Sequence, residues 1–193
     1  FVHGVPQFCV SIAVQHKGVT QHGVIYDPVR DEMFSASRGK GARLNQRRIN
    51  VSKRKTIDGG LFTTGHPLER KRNGEVISYA KQHFESLQKI SEEGGQVRRL
   101  GSAALDLCYV AAGRFDGYFE MSIKPWDIAA GMLLVREAGG RCIDFRGAAA
   151  TPRNGQIVAG NLRMSELVQK RIVESGYASA FDAGSIAAAA TSE

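Results

Sequence analysis

Arg98-Arg99-Leu100-Gly101-Ser102-Ala103-Ala104-Leu105-Asp106-Leu107 leads into Gly113-Arg114-Phe115-Asp116-Gly117-Tyr118-Phe119-Glu120, then Pro125-Trp126-Asp127-Ile128-Ala129-Ala130-Gly131, then Glu137-Ala138-Gly139-Gly140. The spacing predicts a helix over Ser102–Ala112 stopped by Gly113, a strand over Tyr118–Met121, and a helix over Asp127–Ala138 ended by Gly139-Gly140. Acidic groups therefore stand at the ends of regular elements, where a cation or a polar ligand can reach them. Asp127 is the sharpest case, because it follows the only Trp and opens an Ala-rich apolar stretch. A carboxylate there can cap the helix or bind a metal.

Upstream, Cys9–Gln15, Val19–Tyr26 and Glu32–Ala36 alternate between turn signals at His16-Lys17-Gly18 and Asp27-Pro28, which predicts an antiparallel meander. Gly39-Lys40-Gly41-Ala42-Arg43-Leu44-Asn45 is a Gly-rich connector. It lacks the Lys-Ser/Thr pair of a phosphate-binding P-loop and reads as a tight turn. A short strand follows at Leu61–Thr64, and Val76, Ala80, Phe84, Leu87 and Ile90 lie on one face of a helix expected over Gly74–Ile90. Downstream, Arg141–Phe145 and Gln156–Ala159 read as strands and Ser165–Glu174 as a helix with Ser165 as its cap. Residues 1–176 are expected to form one folded unit, and the Ala/Ser-rich stretch 177–193 a disordered or marginally helical tail. Strands interleaved with helices favour a layered α/β sandwich over a bundle or an all-β fold.

With 42% hydrophobic and 23% charged residues among 193, the composition is that of a soluble globular protein, and no apolar run is long enough to cross a bilayer. Cys9, Cys108 and Cys142 lack metal or redox spacing and are expected to be buried free thiols in a reducing cytoplasm. The net charge of +7 is concentrated in Arg43/Arg47/Arg48, Lys53/Arg54/Lys55, Arg70/Lys71/Arg72 and Arg98/Arg99. Clustered cations suit a polyanion such as RNA, but no nucleic-acid motif accompanies them, so solvated surface is the preferred reading. The five histidines show no ligand spacing, and no nucleophile elbow surrounds a Ser or Cys, which leaves a covalent hydrolase unsupported. Asp106 and Asp116 read as solvated or capping carboxylates.

The quoted passage resembles the inositol monophosphatase family, magnesium-dependent sugar phosphatases, and in particular its bacterial SuhB-like branch. The resemblance rests on the Gly101-Ser102-Ala103-Ala104 turn, the Asp116-Gly117-Tyr118-Phe119-Glu120 strand, the Trp126-Asp127 pair, the opening Phe1-Val2-His3-Gly4-Val5-Pro6-Gln7-Phe8, and Ile157-Val158-Ala159-Gly160-Asn161. It spans residues 1 to about 172. It implies the α-β-α-β-α layered sandwich of that family, without its leading helices and first strands. It also implies roles: Asp127 as a magnesium ligand that contacts a substrate hydroxyl and is positioned by Trp126, Glu120 as a ligand for substrate hydroxyls, and Gly101, Ser102 and Ala103 as the turn that packs on the polyol ring.

In the family an Asp-Pro-(Leu/Ile)-Asp-Gly-Thr motif precedes Phe-Val-His-Gly and supplies further metal ligands. No copy occurs here: Asp27-Pro28 continues as Val29-Arg30-Asp31-Glu32 and reads as a turn. The expectation is the C-terminal portion of a longer enzyme, with no turnover by these residues alone because one or two carboxylates cannot hold a metal cluster. The activity implied is magnesium-dependent hydrolysis of myo-inositol 1-phosphate or a related sugar phosphate by a cytoplasmic homodimer. Two alternatives stand beside it: a non-catalytic role with the transcription machinery or RNA, and a relative acting on fructose 1,6-bisphosphate or a nucleotide 3′-phosphate.

Overall fold

The computed structural model describes residues 2–66, 70–72 and 75–180. The meander forms as expected and continues further. Strands β1 (Val10–His16), β2 (Val19–Asp27), β3 (Glu32–Ser37), β4 (Ala42–Leu44) and β5 (Arg47–Arg48) make one antiparallel sheet in chain order. The Gly-rich connector is thus β4 and its flanking turns. Three-residue pairing of Ala42 to Leu44 with Ala36 to Phe34 is too short to leave a visible alternation in the sequence. Within the described residues β1 is an edge strand, and Val10, Ile12, Val14 and Val24 are exposed on the outer face of the sheet.

The second sheet is mixed. It orders β11 (Arg141–Ile143), β12 (Gln156–Gly160), β10 (Gly117–Met121), β6 (Leu61–Thr64) and β9 (Gln96–Arg98), with β10, β6 and β9 parallel to one another. Strand β9, hidden in the sequence between a helix and the Gly101 turn, is again only three residues long. A separate hairpin pairs β7 (Arg70–Arg72) with β8 (Glu75–Ile77). Helices α2 (Ala103–Ala111) and α3 (Pro125–Glu137) lie between the two sheets, while α1 (Ala80–Glu92) and α4 (Leu162–Glu174) cover the far face of the mixed sheet. The described layers are therefore sheet, helices, sheet, helices, in the manner of the expected sandwich.

Strand β10 explains why there are two cores. Successive side chains leave opposite faces of a strand, so Tyr118 joins the core with α2, α3 and the meander while Phe119 and Met121 join the core with α1 and α4. The close approach of α2 and α3 depends on Gly131, since a Cβ there would lie 2.6 Å from Leu107 Cβ.

Several expected boundaries move. Helix α1 begins at Ala80 rather than 74; Val76 belongs to β8, and Gly74 lies outside the described residues. Its inward face carries His83, Ser86 and Ile90; of the expected face Ile90 and Leu87 pack into the core, whereas Phe84 is 51% exposed and His83 takes the inward place beside it. His83 instead sits among the rings of Phe84, Phe119 and Tyr177. Burial there, with Arg99 and His66 nearby, pushes its pKa down to about 4. Helix α4 starts at Leu162 with Asn161 as its cap, the side chain accepting from Met164 N at 2.8 Å. Ser165 is buried one turn inside, donating to Leu162 O. Tyr177 and Ala178, at the start of the stretch expected to be a tail, are buried in the second core, and residues 181–193 lie outside the described residues.

Candidate active site

Strands β9, β6 and β10 run parallel, and each delivers residues from its C-terminal end into one cavity of about 650 Å³. Ends of parallel strands are where α/β sheets collect ligands, because the crossover connections leave a crevice there. Beyond β9 come Gly101, Ser102 and Ala103; beyond β6 come Gly65 and His66; Glu120 near the end of β10 is followed by Ile123, Trp126 and Asp127. Gln7, Phe8, Cys9 and Ser11 close the remaining side from the start of the meander. All the residues expected to bind substrate or metal thus line a single space, together with others.

Two helices begin at this cavity. Ser102 caps α2, its Oγ accepting from Leu105 N at 3.5 Å. The N–H groups of Ala103 and Ala104, on the cavity lining, belong to the first turn, where no intrahelical acceptor exists. Helix α3 starts at Pro125, two residues before the expected opening at Asp127. Pro at the first position loses no hydrogen bond and presets the helical φ. Asp127 is consequently the third helical residue, and its Oδ2 accepts from Lys124 N at 3.2 Å. Capping and ligand binding, alternatives in the sequence, are separable here: Oδ2 serves the cap, and Oδ1 has no hydrogen bond among the described residues. Trp126 is 70% exposed at the cavity mouth and makes its polar contact through its backbone, where Ser11 Oγ donates to Trp126 O at 3.5 Å. Asp127 is placed by the Lys124 turn rather than by the indole.

Glu120 is held from below. Tyr118 Oη donates to Glu120 Oε2 at 2.5 Å, although the two residues share a strand face and Tyr118 is fully buried. Burial raises the Glu120 pKa to about 7, opposed by the Tyr118 hydrogen bond and reinforced by the charge of Asp127. Asp106 corrects the expectation of a solvated or capping carboxylate: it is 1% exposed and lines the same cavity. Thr63 Oγ1 donates to Asp106 Oδ1 at 2.9 Å, and burial, with the charge of Glu120 adding to it, raises its pKa to about 7. The signal was legible, since α2 is apolar on every face and such a helix is buried all round, with any charge it carries. Asp116 is also no free carboxylate; it accepts from Leu61 N at 2.8 Å and from Ser52 Oγ, tying β6 to the start of β10. Cys108 and Cys142 are buried as expected, whereas Cys9 is half-exposed on the cavity wall, 3.7 Å from Ser102 Oγ.

The raised Asp106 pKa fixes a pH dependence. A carboxyl that titrates higher in the folded than in the unfolded state holds its proton more tightly when folded. Stability therefore falls as pH rises from the ordinary carboxyl range through about 7, and levels off above it. Asp106→Asn keeps an acceptor for Thr63 and cannot ionise. It is expected to stabilise the protein at pH 8 by on the order of 2 kcal/mol and to make the decline between pH 5 and 8 shallower, the remainder coming from Glu120, measured by urea unfolding across that range.

Magnesium, implied by the resemblance, needs oxygen donors that converge on one point. No group of three His, Cys, Asp or Glu side chains among the described residues is arranged to hold a metal ion. Magnesium commonly takes only one or two protein carboxylates and keeps several waters. The open Oδ1 of Asp127 fits one such ligand, and the described residues do not amount to a complete cage.

A family model described as the inositol monophosphatase family matches residues 1–179. The Nus factor SuhB of Xylella fastidiosa is 47% identical over 189 residues, covering 94% of this chain and 66% of that protein. The chain spans 59% to 66% of the length of the curated relatives it matches. Among solved structures, the extragenic suppressor protein SuhB of Bartonella henselae superposes with a TM-score of 0.80 at 41% identity, over 89% of this chain and 63% of that one. The inositol monophosphatase of Anabaena superposes with a TM-score of 0.77 at 35% identity, over 90% of this chain and 69% of that one. No helix among the described residues is long and apolar enough to cross a membrane.

Proposed function

The chain belongs to the inositol monophosphatase family, a family of phosphatases, and from that premise we propose that its cavity binds a phosphorylated polyol, myo-inositol 1-phosphate or a related sugar phosphate. The natural protein then hydrolyses the phosphate monoester, with magnesium as cofactor. The observation that carries this reading is the convergence of Gly101, Ser102, Ala103, Glu120 and Asp127 on one space.

The geometry supports a division of labour. Glu120 accepts hydrogen bonds from ring hydroxyls, and the Ala103 and Ala104 N–H groups donate to ligand oxygens. The small side chains at Gly101 and Ala103 leave room for a ring. The positive ends of α2 and α3 favour an anionic ligand. Asp127 offers Oδ1 to the cation. Bound magnesium supplies neutralisation of phosphoryl charge and activation of water. A homodimeric state and a cytoplasmic location belong to the same proposal.

Release of inorganic phosphate by the natural protein, measured with millimolar magnesium over a panel of monoesters, tests it. The expected order places myo-inositol 1-phosphate above fructose 1,6-bisphosphate and nucleotide 3′-phosphates. Absence of turnover on every sugar and polyol phosphate would sink the reading.

A second reading has its own support. The relatives named Nus factor SuhB and the exposed cations Arg43, Arg47 and Arg48 on β4 and β5 point to a partner in the transcription machinery, RNA included. Retention on RNA that weakens with salt and survives Asp127→Asn separates this role from catalysis.

A further inference from the structure

We propose that Gly65 is the positioning residue for Glu120: the missing side chain at position 65 is the space in which the Glu120 carboxylate stands. The inference rests on the reading of the cavity as a polyol site and deepens it, assigning to a residue outside the motifs that carry the resemblance the control of how hydroxyls are recognised.

A Cβ built on Gly65 falls inside the Glu120 carboxyl group, overlapping Oε1, Cδ and Oε2. The requirement for glycine is not conformational, because Gly65 is absent from the residues with positive φ. Any L-residue could adopt its backbone; none could share its space with Glu120. The backbone at 65 is also anchored. Thr63 Oγ1 donates to Asp106, and Thr64 Oγ1 donates to Phe119 O at 2.6 Å, so the end of β6 is fastened to both α2 and β10. Glu120 is held by Tyr118 Oη on one side and on the other fills the space that a side chain at position 65 would take. A side chain at 65 would displace the one soft element of this arrangement, the end of the Glu120 side chain. Folding is then little affected while the hydroxyl-binding carboxylate is lost from its position.

The experiment compares the natural protein with its Gly65→Ala, Glu120→Asp and double variants. Gly65→Ala is expected to raise KM for myo-inositol 1-phosphate roughly 10- to 100-fold, the loss of a hydrogen bond to a charged group, with kcat little changed because such binding is uniform. Its melting temperature should stay within about 3 °C of wild type. Glu120→Asp draws the carboxylate back by one methylene and frees the space. Adding Gly65→Ala to Glu120→Asp is therefore expected to raise KM no further. Multiplicative effects in the double variant, or an unchanged KM in Gly65→Ala, overturn the proposal. So does a melting temperature lowered by more than about 10 °C, which would make the glycine structural. A carboxyl 13C titration gives a readout independent of turnover: the Glu120 midpoint near 7 should fall towards the ordinary carboxylate range in Gly65→Ala. If the wild type hydrolyses no polyol phosphate, the proposed function fails while this shift still decides the placement of Glu120.

Discussion

Asp127→Asn in the natural protein is expected to lower kcat/KM for inositol 1-phosphate by at least ~100-fold, the several kcal/mol that a misplaced cation is worth to phosphoryl transfer. The fold should survive. The amide oxygen of Asn still accepts from Lys124 N, so the first turn of α3 keeps its cap, and only the negative charge is removed. Two readouts separate the roles: the magnesium concentration giving half-maximal rate should rise, and the melting temperature should move little. Asp127→Ala, which removes acceptor and charge together, should show the same kinetic defect plus a loss of about 1 kcal/mol from the cap. Unchanged magnesium dependence in Asp127→Asn would return this carboxylate to a capping role alone.

Phe119→Ala is expected to be the most destabilising of the substitutions considered, by about 3–5 kcal/mol, and to lower the melting temperature by about 10 °C. Phe119 is fully buried at the centre of β10 and meets the His83 ring at 5.8 Å between centroids. Truncation leaves a cavity between the mixed sheet and the α1/α4 layer that the main chain cannot close, since β10 is paired on both sides, with β6 and β12. Its neighbours Tyr118 and Glu120 face the other way. The defect should therefore appear in denaturant unfolding before it appears in KM.

How the site was legible differs residue by residue. Asp127 and Glu120 were visible because each ends or begins an element beside a distinctive neighbour, and the Gly101-Ser102-Ala103 turn because small residues before an apolar helix are a local signature. Asp106 was misjudged although its all-apolar helix marked it as buried. Cys9, His66 and Gly65 had no such signature. Gly65 and His66 follow β6, which pairs over only three residues on each side, and Cys9 lies just before β1; their place at the cavity depends on partners 33 to 93 positions away along the chain.

The sequence by itself determined the elements whose cause is local: the meander, the two helices of the central passage, the Ser102 cap, and the family, since motif order and spacing are properties of the chain. Only the tertiary structure decided which faces are inward, as His83 rather than Phe84 shows, and that three parallel strand ends empty into one cavity. It alone set the burial that lifts Asp106 and Glu120 towards neutrality, and the vacancy at Gly65 that Glu120 fills. The physical reason is range. Hydrogen-bonded turns and caps act over a few residues, whereas desolvation and steric exclusion depend on everything packed around a group, which the order of the chain does not state.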